Sequence, residues 1–220
     1  MTQDAGMIGQ AGLQFFGKMC ASVSHDIKNV LAVINENAGL LEDFCLMAEK
    51  GRPIDPARLK RLAGDIQEQI RRGDRIVTGM NRFAHSADAP SMDVDLSELT
   101  DLLAALALRF AAARGVQVHV KRPRGAVRIT TAPFVLLNLM WLCLDEAMAF
   151  AGPERTVELS AEDSADGACL RFCRIQRLKD TPDGSLPTVL SSVLCSFLRA
   201  QVSFDPDANQ MTLLLPKNGG

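Results

Sequence analysis

Ser24-His25-Asp26-Ile27-Lys28-Asn29 lies near the start of a long apolar-periodic segment, and reading it as helix decides how the chain is organised. Residues four apart on a helix share a face, so His25 and Asn29 point the same way. Asp26, about 100° further round the axis, flanks them. An exposed imidazole with a carboxylate beside it and a carboxamide one turn on suits phosphoryl chemistry. Neutral imidazole is nucleophilic near pH 7, the acid holds the second ring nitrogen, and the amide orients a water.

Outward from that stretch, Leu13 to Ala48 contains no proline and reads as one helix. Val23, Ile27, Val30, Leu31, Ile34, Ala38, Leu41 and Cys45 recur at three- and four-residue steps as one apolar stripe. Residues 1–10 are small and polar and read as a disordered N-terminus. Gly51-Arg52-Pro53 breaks the helix, after which Asp55 reads as an N-cap with Pro56 at the first helical position. Leu59, Leu62, Ile66, Ile70, Gly73, Ile76, Val77, Met80 and Phe83 form the second stripe, and Ala87–Pro90 reads as a linker. Two long helices on a short loop make an antiparallel hairpin. A lone hairpin leaves much apolar surface bare, so two copies are expected to associate as a four-helix bundle with His25 facing outward. The expected division is an end segment 1–10, a hairpin 11–88 and a second domain 89–220.

The texture changes after the linker. Leu96–Ala113 reads as a helix stopped by Arg114-Gly115, and Val116–Val120 and Val127–Thr130 as strands. Pro133–Phe150 is an apolar helix; Thr156–Ala161 and Ala168–Ile175 read as a hairpin pair of strands. A polar stretch, 176–187, leads to a helix over Thr188–Ala200 and a last hairpin of Val202–Phe204 with Met211–Leu215. Helices and strands in this order predict an α/β sandwich with helices on one face.

Net charge is −2, and the first ninety residues carry eleven acids and eleven bases, so neither nucleic acid nor an anionic membrane is an expected partner. No apolar run approaches the ~18 residues of a membrane span. The N-terminus lacks a basic region ahead of its apolar stretch, so a cytoplasmic location is expected. The six cysteines show no C-x-x-C spacing and read as buried free thiols. His85 and His119 read as structural or surface histidines, and Met80, Met140 and Trp141 as core.

The hairpin carrying Ser24–Asn29 resembles the dimerisation and histidine-phosphotransfer domain of two-component sensor kinases. The second half resembles their ATP-binding domain, the Bergerat-type sandwich, beginning with Val94-Asp95-Leu96-Ser97-Glu98-Leu99 and reaching Val116–Val120. Together the likeness spans nearly the whole chain. It implies that His25 is the phosphorylated residue, Asp26 its acid/base partner, and Asn29 the residue that helps water attack a phosphorylated receiver aspartate.

The nucleotide boxes depart from that family. Laying Ala132-Pro133 on the usual Asp-Pro start puts Leu142 and Glu146 where two asparagines would serve Mg²⁺ and phosphate. Arg174-Ile175-Gln176-Arg177-Leu178 stands where D-x-G-x-G is expected, and Asp183-Gly184-Ser185-Leu186-Pro187 has one glycine where a Gly-rich loop would cradle phosphates. Backbone approaches a triphosphate closely only where side chains are absent. The whole resembles histidine phosphotransferases of the ChpT type, built as degenerate kinases. That likeness implies a homodimer passing phosphate between receiver domains, with a hybrid kinase's receiver as donor. It implies no cofactor or metal of its own, the Mg²⁺ being held by the partner receiver. The expected docking residues are Lys28, Val33, Asn37 and Leu40 on the first helix, with Arg75, Gly79 and Arg82 on the second. The competing expectations are an ATP-dependent kinase with divergent boxes and a non-catalytic scaffold for a response regulator.

Overall fold

A computed structural model describes residues 2–123, 125–164, 167–176 and 188–217, with side chains from Asp4 onward. Packing divides the chain into two compact units: Met19–Asn81, and Met1–Lys18 together with Arg82–Gly220. The expected domain boundary near residue 88 differs from this division, which falls inside both long helices.

Two helices open the chain, α1 (Thr2–Glu49) and α2 (Pro56–His85). Helix α1 starts at Thr2, where the composition suggested a disordered end. Burial explains the correction: Ala11, Gly12 and Phe15 are inside, and a Cβ on Gly12 would lie 3.0 Å from the Phe134 ring. Tertiary packing thus overrides the weak helix propensity of Gly6, Gly9 and Gly12. Between the helices, Gly51 takes a positive φ of 76°, and Asp55 Oδ1 accepts from the Ala57 N–H at 2.9 Å, capping α2 as expected.

Within Met19–Asn81 the two helices run antiparallel. A Cβ on Gly73 would lie 3.4 Å from Val30, and the Arg58 guanidinium stands 5.9 Å from the Phe44 ring nearer the loop. Val30 and Leu62 are buried in the seam, with Ile34, Leu41, Ile66 and Ile76 half-buried. Leu31, Ile70 and Val77, read as part of the same stripes, are exposed instead. One hairpin covers only one edge of each stripe.

The other unit holds β1 (Met92–Asp95), α3 (Leu96–Ala113), β2 (Gln117–Lys121), β3 (Arg128–Thr131) and α4 (Pro133–Ala149). Then follow β4 (Thr156–Ser164), β5 (Gly167–Cys173), α5 (Val189–Leu198), β6 (Gln201–Asp205) and β7 (Gln210–Pro216). Five strands form a mixed sheet ordered β2-β4-β5-β7-β6, with β2 parallel to β4 and the other pairs antiparallel. Strand β3 does not join it; it pairs with β1, which the sequence reading missed, as a separate two-stranded sheet. Alternation sends Val157, Leu159 and Ala161 inward from β4 and Glu158 and Ser160 outward. Helix α3 lies against β2 and β4, α4 against β4 and β5, and α5 against α4. Gly167 is required where it stands: a Cβ there would fall 2.0 Å from the Leu215 carbonyl oxygen.

Phe15 and Phe83 meet edge to face at 5.3 Å, and Phe134 and Trp141 stand 5.8 and 6.5 Å from Phe15. Lys18 sits over the Trp141 ring at 4.5 Å. Trp141 and Met140 are core, as read; Met80 is half-buried. All six cysteines are free, but only Cys143 and Cys169 are buried, and Cys45 is exposed. The stripe reading placed Cys45 on an inward edge that the hairpin does not cover. Burial pushes the thiols of Cys143, Cys173 and Cys195 up from their ordinary value.

Candidate functional site

The helix that carries His25 is continuous for several turns on either side, so backbone geometry fixes the directions of its side chains. Asn29, one turn on, brings Nδ2 within 3.2 Å of His25 Nδ1. Asp26 Oδ1 lies 3.7 Å from the same ring nitrogen. The His25 side chain is 49% exposed and that of Asp26 25%, so the ring reaches solvent while the carboxylate leans toward the hairpin. Ser24 and Lys28 are exposed neighbours. The three residues singled out in the sequence are therefore brought together around Nδ1.

On the facing helix, the Val30–Gly73 contact sets the register, placing His25 level with about Thr78. Arg75 and Gly79 belong to this stretch of α2, Arg75 exposed and Gly79 half-buried. Arg75 is not free: its guanidinium donates to Glu68 Oε1 at 3.1 Å, while Arg71 takes Glu68 Oε2 at 2.9 Å. These bonds, Arg75 first and Arg71 second, hold the Glu68 carboxyl below the usual carboxylate range. The Glu68–Arg71–Arg75 cluster escaped the sequence reading, although three- and seven-residue spacings announce it.

Val33 and Leu40 are exposed as expected. Asn37 is a correction: it is only 9% exposed, and its Nδ2 donates to the Val33 carbonyl at 2.9 Å. It stands seven residues after buried Val30 and repeats that inward direction. Arg82 belongs to the other unit, where it pairs with Glu98 at 3.0 Å. His85 bonds Asp88 at 2.7 Å and His119 approaches Gln117 at 3.3 Å, both on the surface.

In the sandwich, Leu142 and Glu146 lie half-buried on α4. Directly after β5, Arg174 takes a positive φ of 71° and pairs with Glu154 and, at 2.8 Å, with Glu158. Arg177, Leu178 and the stretch Asp183–Pro187 lie outside the described residues. Among the described residues no group of three His, Cys, Asp or Glu side chains could hold a metal ion, and no helix is long and apolar enough to cross a membrane.

No protein-family model matches the sequence, and no curated protein matches it. Solved structures similar to this chain include the catalytic domain of histidine kinase ThkA, 9% identical with a TM-score of 0.47. That likeness covers 60% of this chain and 100% of the kinase domain. The ATP-binding domain of PrrB from Mycobacterium tuberculosis is 18% identical, with a TM-score of 0.45 over 60% of this chain and 99% of its own. A bacterial phosphotransferase is 14% identical with a TM-score of 0.48, covering 91% of this chain and 95% of its own.

Proposed function

We propose that this chain is a histidine phosphotransferase of a two-component phosphorelay, moving a phosphoryl group between receiver-domain aspartates through His25 without binding ATP. The observation that carries the reading is the exposed His25 ring with Asn29 and Asp26 both at its Nδ1. With Nδ1 holding the ring hydrogen toward Asp26, Nε2 attacks the phosphorus of an aspartyl phosphate. The N–P bond forms, the P–O bond breaks, and the aspartate leaves as its carboxylate. Return to a second receiver reverses those bonds, and Mg²⁺ on the receiver meets the charge on the transferring group. Val33 and Leu40 offer apolar contacts two and four turns further along α1 from the ring, and Lys28 and Arg75 offer charge. The second half serves as a grip for partners, with Glu146 on α4 and the Arg174 ion pairs standing against a bound triphosphate.

The test is incubation of the chain with phosphorylated receivers, one from a hybrid kinase among them, following acid-labile, base-stable label, beside a Mg-ATP control. Label is expected to pass from receiver to chain and to vanish in His25→Ala. Undiminished labelling of that variant would falsify the reading, and labelling from Mg-ATP alone would replace it with an autophosphorylating kinase.

A further inference from the structure

Asn29 and Asp26 make opposite demands on one nitrogen. The Asn29 amide nitrogen lies 3.2 Å from His25 Nδ1. An amide N–H only donates, so Nδ1 accepts and the neutral ring carries its hydrogen on Nε2. Asp26 Oδ1, 3.7 Å from the same nitrogen, only accepts when ionised and calls for the hydrogen on Nδ1. At 3.7 Å it lies beyond hydrogen-bond range, so the arrangement present is the one Asn29 favours. In that arrangement Nδ1 spends its lone pair on Asn29 and Nε2 is protonated. Neither nitrogen presents a lone pair to an electrophile.

From this we infer that Asn29 is a positioning residue that sets the resting tautomer of His25 and keeps the ring out of its transferring state until Asp26 displaces it. The inference rests on His25 being the phosphoryl acceptor and adds to Asn29 a role distinct from orienting water. For transfer, Asn29 releases Nδ1, the ring hydrogen moves from Nε2 to Nδ1 by exchange with solvent, and Asp26 receives it. Nε2 then carries the free lone pair. The half-exposed ring gives solvent the access this exchange needs.

Nitrogen NMR of the full-length chain, labelled in its histidine rings, reads the tautomer directly. His25 is assigned by its loss in His25→Ala, because His85 and His119 supply the other signals. The wild type is expected to show the hydrogen mainly on Nε2. Asn29→Ala should shift the ratio toward Nδ1–H by about three- to tenfold, the range that one neutral hydrogen bond supports. Asn29→Asp, which accepts where asparagine donates, should shift it further, a result that loss of packing alone would not produce. An unchanged ratio in both variants, or a wild-type ring already protonated on Nδ1, overturns the inference.

A second readout uses phosphoramidate, which needs no partner. Nε2 attacks its phosphorus, the donor's P–N bond breaks, ammonia leaves, and the ring's surplus proton passes from Nδ1 through Asp26 to water. Asn29→Ala is expected to label faster by the factor by which the Nδ1–H fraction rises. Labelling at an unchanged tautomer ratio overturns the role of Asn29 and leaves the carrier reading standing. A shifted ratio with no label from phosphoramidate or from receivers upholds the competition for Nδ1 and removes the carrier reading instead.

Discussion

Glu68 shows how single side chains couple along α2, because one carboxylate accepts from both Arg75 and Arg71. Those bonds hold its carboxyl below the usual range when folded, with the Arg75 bond contributing most. A depressed carboxyl stabilises the fold above the unfolded value, near 4.3 for glutamate, and that contribution is lost as pH falls through the folded value. Glu68→Gln should therefore melt slightly below the wild type at pH 7, with the gap closing on acidification below the ordinary glutamate range. Thermal unfolding followed across pH checks this, and a gap that persists in acid would contradict it. Such a pair is solvent-exposed, so added salt should also narrow the difference. The His25, Asp26 and Asn29 constellation was legible because helical spacing alone fixes their directions. What spacing left out is that Asn29 reaches the same ring nitrogen as Asp26, since that depends on rotamers and not on position along the axis.

Among the elements, α1 departs most from what its sequence suggests. Its first turns hold Gly6, Gly9 and Gly12, each costing roughly 1 kcal/mol against alanine, yet helix begins at Thr2. Phe15 supplies the compensation by packing against Phe83, Phe134 and Trp141. Truncating Phe15 to alanine should cost about 3–5 kcal/mol of stability, the usual loss for a buried phenylalanine. Leu13, exposed on the same helix, should tolerate alanine within about 0.5 kcal/mol. Denaturant titration of the two variants separates them, and equal effects would mean that the aromatic cluster does not anchor this end of the helix. The helices and most strands were readable because their apolar periods are long enough to count. Strand β1 was not: Met92-Asp93-Val94-Asp95 offers one buried side chain, Val94, and its pairing with β3 is a long-range event invisible to local pattern. The same holds for β3, whose alternation predicts a strand but not which sheet receives it.

For the molecule as a whole, helical phase sorts most of the exposed apolar residues of the hairpin into two sets, with Leu46 between them. Val33, Leu40 and Met47 follow Asn29 at steps of four and seven and continue the face that carries His25. Leu31 on α1 and Ile70 and Val77 on α2 sit on the opposite flank of the seam, 59%, 56% and 48% exposed. In an antiparallel pair these three fall on one side of the hairpin, away from the ring. That separation allows one side to associate with a second copy while the other receives a receiver domain. Changing both Leu31 and Ile70 to glutamate would place charge inside such a contact, and the variant should sediment as a monomer where the wild type is expected to sediment as a dimer. Leu40→Glu lies on the other side and should leave the dimer intact while slowing phosphate uptake from a receiver. Sedimentation velocity and label transfer, run on the same preparations, read the two sides independently. A monomeric wild type at micromolar concentration, or loss of the dimer in Leu40→Glu, would show that the apolar phases do not divide the work in this way.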